Sequence, residues 1–119
     1  MDDERSRKFH SLLGIAQKAR AIVSGTALCQ DSIGRRIAKM IIVAQDAPVE
    51  TQNSYARDGA RLGIPIIIAS TRQELGMAIG KSARVAVVLT DTNFCKRLLE
   101  IQGAEIKEVG KCQKSESSN

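Results

Sequence analysis

Met-Ile-Ile-Val-Ala, residues 40–44, is an uninterrupted apolar run rich in β-branched side chains. A strand covered by helices on both faces has this uniform pattern, whereas a half-exposed strand alternates apolar and polar residues. Residues 66–69, Ile-Ile-Ile-Ala, repeat the pattern. Between the two runs, Pro48 at a helix start and Gly63 at a helix end frame a polar helix over residues 49–62. The stretch therefore predicts two buried strands joined by a helix.

The amino-terminal part of the chain continues this alternation of helix and strand. Apolar residues at helical spacing predict a first helix over residues 5–20, and residues 21–23 can form only a short strand. A cap residue and a glycine, Ser24 and Gly25, then start a second helix that reaches Ile37.

Similar signals organise the carboxyl-terminal part. Thr71 and Glu74 have the spacing of a capping box, which predicts a helix over residues 71–79. A strand over residues 85–89 follows, and Thr90 or Asp91 caps a final helix. The alternation predicts an α/β protein, a three-layer α/β/α sandwich around a small sheet.

Length and composition restrict the function. The chain has 119 residues, a net charge of +5 and a pI near 9.4, so we expect one domain over residues 1–102 with an anionic partner. From residue 103 the apolar pattern fades, which predicts a flexible tail over residues 103–119. The cysteines lack CxxC spacing and no apolar run could span a bilayer, so we expect a cytoplasmic protein without a membrane partner.

Residues 80–84, Gly-Lys-Ser-Ala-Arg, look like a phosphate-binding P-loop but lack its pattern. Leu75 stands where the first glycine belongs, and the loop ends a helix instead of opening one. The segment is either a solvated basic loop or a small-residue loop suited to approaching a polyanion. Aromatic residues are scarce, which favours folded RNA over single-stranded RNA as the ligand.

Five motifs in order resemble one protein family. They are LLGIAQ at residues 12–17, VSG at 23–25, AKMIIVAQDA at 38–47, GIP at 63–65 and ELGMAIGKS at 74–82. Over about residues 8–100 the chain resembles the ribosomal kink-turn-binding superfamily, the seven-Ae and thirty-e type ribosomal proteins, and most closely its bacterial YlxQ-like branch. The resemblance implies a four-stranded mixed sheet and a non-enzymatic protein that binds a sharply bent RNA helix.

The resemblance also implies a site at the start of the second helix and in the loop before the last strand. There, Gly25 and Thr26 would present unpaired backbone N–H groups to a phosphate, although Gly25 can equally be a simple turn glycine. The partner would be structured RNA, ribosomal or other, with the ribosome or RNA-processing proteins as further partners of a monomer. No catalytic residue, metal ligand or cofactor is predicted. The candidate RNA-binding residues are Arg20, Ser24, Gly25, Thr26, Ala27, Leu28, Asp31, Lys39, Gly80, Lys81, Ser82, Ala83 and Arg84.

Two other functions compete with this one. Strong kink-turn binders of the family carry Asn, Glu and Lys where this chain has Ala27, Leu28 and Asp31, which motivates an alternative protein-interaction module on the same fold. The second is an enzyme or a phospho-switch, because Asp46 and Asp91 follow strands, where α/β folds place ligands, but a strand-end Asp is usually a helix cap. The histidine, His10, has no evident catalytic companion and is interpreted as a surface residue.

Overall fold

The computed structural model describes residues 3–102. Within this range, no helix is long and apolar enough to cross a membrane. The elements in chain order are α1 (Asp3–Lys18), β1 (Ile22–Ser24), α2 (Thr26–Gly34), β2 (Met40–Val43), α3 (Val49–Leu62), β3 (Ile66–Ile68), α4 (Arg72–Ala78), β4 (Ala86–Leu89) and α5 (Thr92–Gln102).

The strands form one mixed sheet in the order β1-β4-β2-β3. β2 and β3, which lie within the apolar runs of residues 40–44 and 66–69, pair in parallel, with Ile41 opposite Ile66. β4 lies between β1 and β2 and is antiparallel to both. Every residue of β2 and β4 is buried, as expected for central strands covered on both faces.

Helices cover both faces of this sheet. On one face α1 packs against α4 and α5. On the other, α2 and α3 meet where the Cys29 thiol approaches the Tyr55 hydroxyl. The predicted three-layer α/β/α sandwich is confirmed.

Several helix ends follow the sequence signals. The capping box is present, because Thr71 Oγ1 accepts from Glu74 N at 3.1 Å and Glu74 Oε1 accepts from Thr71 N at 2.9 Å. Gly63 ends α3 in the left-handed conformation, with φ 72°. Asp91 Oδ1 accepts from the backbone N–H of Asn93 at 2.8 Å, so this strand-end carboxylate caps α5.

Three expectations were wrong in detail. α2 ends at Gly34, so Ile37 lies outside the helix and is 43% exposed. Ser24 does not cap α2; Gly25 occupies that position and the helix start has no side-chain cap. His10 is half-buried, and its Nε2 lies 2.8 Å from Ser70 Oγ, which ties α1 to the turn between β3 and α4.

Candidate nucleic-acid interface

The start of α2 and the loop before β4 meet in space, although about 55 residues separate them along the chain. Arg84 Nε donates to Ser24 Oγ at 3.2 Å. The antiparallel pairing of β1 with β4 causes this contact, because it sets Ser24 opposite Val87, just after the loop. The two predicted RNA-contacting segments therefore form one surface.

A surface groove of about 450 Å³ runs from this contact along the edge strand β1 and the helix α2. We call it the α2 groove. It is lined by cations of the 80–84 loop and by residues on successive turns of α2. Among the lining residues are Ser24, Leu28, Asp31, Arg35, Lys81 and Arg84.

The start of α2 is open to a ligand. Gly25 has φ 91° and ψ 136°, a conformation that a residue with a Cβ rarely adopts, and nothing lies within 4 Å of the position a Cβ would take. The first turn contains no acidic residue, and no side chain caps it. Its backbone N–H groups and the positive end of the helix dipole are thus available to an anion. Thr26, Ala27 and Leu28 are exposed beside it.

The loop of residues 80–84 is held tightly against α4. Lys81 N donates to Gly76 O at 2.8 Å. Gly76 is buried, and a Cβ there would lie only 2.0 Å from Ser82 O, so the loop backbone occupies the space that a side chain would need. Only glycine permits this approach.

Arg84 braces the loop from the other side. Its Nη1 donates to Ser82 Oγ at 2.9 Å, Ala83 O at 3.1 Å and Ser82 O at 3.2 Å, in addition to the Nε bond to Ser24. The side chain is half-buried. Lys81 is exposed and lines the groove, so it presents its charge to a ligand more freely than Arg84 does.

The groove carries one cation that the sequence analysis missed. Arg35 Nη1 lies 3.3 Å from Asp31 Oδ2, and both side chains are largely exposed. The pair offsets the negative charge of Asp31, which would otherwise repel a phosphate. The sequence spacing could have identified Arg35, because it follows Asp31 by four residues and Leu28 by seven, which places all three on one helix face.

The remaining predicted residues are not all brought together. Ser82 and Ala83 are exposed in the loop, and Gly80 starts it with φ 73°. Arg20 and Lys39 do not line the groove, because they precede β1 and β2 at the opposite end of the sheet.

Asp46, the second carboxylate that follows a strand, makes structural contacts to Arg72. Asp46 Oδ1 accepts from Arg72 N at 2.8 Å, and Asp46 Oδ2 lies 3.6 Å from Arg72 Nε. It therefore joins the end of β2 to the start of α4, as a helix-capping carboxylate does.

A buried thiol and a buried phenol lie beneath the groove. Burial raises the pKa of Cys29 to about 11, although the Tyr55 hydroxyl and the Arg84 charge act in the opposite direction. Burial and the neighbouring Cys29 raise the pKa of Tyr55 to about 12. By its geometry the buried Tyr55 hydroxyl makes no hydrogen bond to a described residue, although the Cys29 thiol lies beside it. Both groups are neutral near pH 7 and serve packing.

Comparison with known sequences supports the resemblance. The profile of the ribosomal protein L7Ae/L30e/S12e/Gadd45 family matches residues 7–100. The RNA-binding protein YlxQ of Bacillus subtilis (strain 168) is 34% identical over 94 residues, which cover 79% of this chain and 94% of that protein. The RNA-binding protein YlxQ of Enterococcus faecium is 26% identical over 101 residues, or 85% of this chain and 97% of that protein.

Solved structures have the same architecture. A protein of unknown function from Bacillus halodurans superposes with a TM-score of 0.76 at 30% identity, over 79% of this chain and 95% of that one. A 15.5 kD RNA-binding protein of Giardia lamblia has a TM-score of 0.72 at 21% identity, over 88% and 90% of the two chains, a likeness of fold alone. From the profile match and the 34% identical relative, the chain belongs to the ribosomal protein L7Ae/L30e/S12e/Gadd45 family, in its YlxQ-like branch.

Proposed function

We propose that this protein binds structured RNA without catalysing a reaction, and that it holds the sugar-phosphate backbone in the α2 groove. The observation that carries the proposal is the junction of an uncapped helix start with a basic loop, fixed by the Arg84–Ser24 hydrogen bond of 3.2 Å. The names of the YlxQ relatives, which are RNA-binding proteins, support it. The expected setting is a monomer in the cytoplasm, on the ribosome or another ribonucleoprotein.

The chemistry divides between backbone and side chains. The N–H groups of the first α2 turn donate to a phosphate, and the bare Gly25 lets the RNA approach them closely. Lys81 neutralises charge from the other wall of the groove. Arg84 acts indirectly, because its donors are largely committed to Ser82, Ala83 and Ser24 and keep the loop in place.

Recognition by this site depends on RNA shape more than on base identity. Ala27 and Leu28 offer no side-chain donors or acceptors that could read base edges, and Asp31 is paired with Arg35. Leu28, which is 61% exposed in the groove, instead offers an apolar contact to a ribose or a base face. We therefore expect a sharply bent RNA helix to bind more tightly than a straight one, with little dependence on the sequence of its pairs.

Filter binding tests this proposal with two hairpins of equal length, one containing a kink-turn with tandem G·A pairs and one fully paired. For the wild-type protein we expect binding that weakens steeply as salt rises from about 50 to 200 mM, and tighter binding of the bent hairpin. Lys81→Glu should reduce affinity on the order of tenfold or more.

Arg57→Glu is the matched control, since it makes the same charge change on an exposed site of α3, away from the groove. It should leave affinity within about twofold. The proposal is wrong if neither hairpin binds at low salt, if binding is insensitive to salt, or if the two variants lose affinity equally.

A second function is favoured by one observation, the apolar part of the same groove. Leu28 and Ile37 are 61% and 43% exposed and line it together. A protein partner could cover both, as the alternative interaction module would require. Pull-down from a lysate with and without nuclease separates the two functions. A partner that is retained after nuclease and lost in Leu28→Asp supports the module, whereas partners lost with nuclease support RNA binding.

A further inference from the structure

Four exposed cations that form no ion pair with a described carboxylate lie at the other end of the sheet, away from the helix start and the 80–84 loop. β1 and β2 begin there and β4 ends there, because Thr90 N donates to Ala21 O at 2.9 Å and Lys39 N donates to Leu89 O at 2.7 Å. We call this surface the basic end. Its exposed cations are Lys18, Arg20, Arg36 and Lys39.

Two carboxylates near the basic end form ion pairs, Asp31 with Arg35 at 3.3 Å and Asp58 with Arg61 at 3.2 Å. A third, Asp91, caps α5 but keeps its negative charge, and it lies near the Cys95 thiol as Lys39 does. Within residues 4–101, no carboxylate lies within 4.0 Å of the side-chain nitrogens of the four cations that define the surface. Their charge is therefore available to an external anion.

Two of these cations occupy backbone positions that suit glycine better. Arg20 has φ 61° and Arg36 has φ 63°. Each follows a helix in a Schellman motif, in which Ala21 N donates to Ala16 O at 2.8 Å and Ile37 N donates to Ser32 O at 3.1 Å. The left-handed conformation is costly for a residue with a Cβ.

The same motif elsewhere in this chain uses glycine. Gly63 follows α3 and Gly80 follows α4, with φ 72° and 73°, and the next residue of each donates its N–H to the carbonyl five residues before it. A cation favours a helix carboxyl terminus, but Lys18 already supplies one in the last turn of α1. The last turn of α2 has no basic residue, although Arg35 stands at its C-cap position. Helix stability alone therefore does not account for arginine at position 20, and at position 36 a neighbouring arginine is already present.

The basic end adjoins the groove instead of facing away from it. The groove extends from Lys81 and Arg84 past Arg35 to Gln17 and Ile37, which neighbour Lys18 and Arg36 in sequence. From residue 84 to residue 90, the strand path covers roughly 20 Å at about 3.3 Å per residue. That length corresponds to about six steps of a nucleic-acid duplex.

We infer that the basic end is a second RNA-binding surface, which contacts the phosphates of the duplex flanking the bent element held at the start of α2. This inference rests on the proposed function, because the groove must first hold RNA. The contacts are electrostatic, through Arg20, Arg36, Lys18 and Lys39, and they read no base sequence.

The test compares Arg20→Gly/Arg36→Gly with Arg57→Ala/Arg97→Ala, which also removes two exposed guanidinium groups but from outside both surfaces. The RNA probes are kink-turn hairpins whose flanking stem has about four or about ten base pairs, too short or long enough to reach the basic end. The wild-type protein and the control should bind the long-stem RNA more tightly than the short-stem RNA.

The glycine variant should lose that advantage, and the magnitude of its slope of log affinity against log salt on the long-stem RNA should fall by about two. Its melting temperature should be unchanged or higher, since glycine suits both backbone positions. If the glycine variant keeps the long-stem advantage and its salt slope is unchanged, while Lys81→Glu still weakens RNA binding, the further inference is wrong and the proposed function stands. A fall in melting temperature of more than about 8 °C also overturns it, because the arginines would then be structural. Failure of the wild-type protein to bind either RNA overturns both proposals.

Discussion

Gly76→Ala should damage the candidate site by moving the 80–84 loop. The added Cβ would lie 2.0 Å from Ser82 O, 2.6 Å from Ser82 C and 3.0 Å from Ala83 Cα, and all three are backbone atoms. Ordinary contact begins at 3.4 Å, so the loop must retreat by 3.4 − 2.0 = 1.4 Å. No flexible side chain is available to yield in its place.

The expected change in the free energy of unfolding is the sum of three contributions. Overpacking of this kind costs about 1–3 kcal/mol. Disturbing the 2.8 Å hydrogen bond from Lys81 N to Gly76 O costs about 1 kcal/mol more. The better helix propensity of alanine returns about 1 kcal/mol. The free energy of unfolding should therefore fall by about 1–3 kcal/mol, which lowers the melting temperature by roughly 5–20 °C.

The assay combines thermal unfolding with RNA filter binding, and Gly34→Ala is the matched control. Gly34 is also a helical glycine, but nothing lies within 4 Å of its Cβ position, so alanine should leave stability unchanged or raise it by up to about 1 kcal/mol. Gly76→Ala should additionally weaken RNA binding, since the displaced loop carries Lys81. Equal melting temperatures and equal affinities for the two variants would refute the reasoning.

Two further predictions concern the surroundings of the groove. In a double-mutant cycle by urea unfolding, Arg84→Ala and Ser24→Ala should show a coupling energy of about 0.5–1.5 kcal/mol, whereas additive effects would mean that their 3.2 Å contact does not brace the loop. Burial raises the pKa of Cys29 to about 11 and that of Cys95 to about 12 from an ordinary 9.0, so the folded state holds these protons more strongly than the unfolded state. Their stabilising contribution is complete below about pH 9 and is lost as the pH rises from about 9 to the folded-state pKa values of about 11 and 12, by up to about 1.4 kcal/mol per pH unit for each thiol. Urea titrations should show this loss, and a Cys29→Ala/Cys95→Ala variant that loses stability just as steeply would contradict it.

The sequence predicted the helix ends correctly where short-range capping signals fix them. The bounds of α3 and the start of α4 agree with the structure because Pro48, Gly63 and the Thr71–Glu74 box act within one turn of the chain. The end of α2 has no such signal. Arg36 adopts the left-handed conformation that normally marks a glycine, so the apolar spacing wrongly carried the predicted helix on to Ile37.

The candidate site was predictable in its parts but not in its construction. The helix start and the basic loop are evident from Gly25 and residues 80–84, and the family resemblance relates them. Their contact depends on antiparallel pairing between strands far apart in the chain, which no local pattern specifies. For the same reason, the sequence could not reveal that Arg84 braces the loop while Lys81 faces the groove.

The placement of charge suggests how the two surfaces divide their tasks. In the groove, the three cations Lys81, Arg84 and Arg35 stand against Asp31, a net charge of 3 − 1 = +2, and the donors of Arg84 are committed to the loop. The groove instead offers directional donors that fix the orientation of a ligand. Under the further inference, the exposed cations of the basic end would add to the long-range attraction of RNA and raise the rate of encounter before the helix start engages. Loss of the basic end should therefore slow association, whereas damage at Gly25 or the loop should mainly speed dissociation.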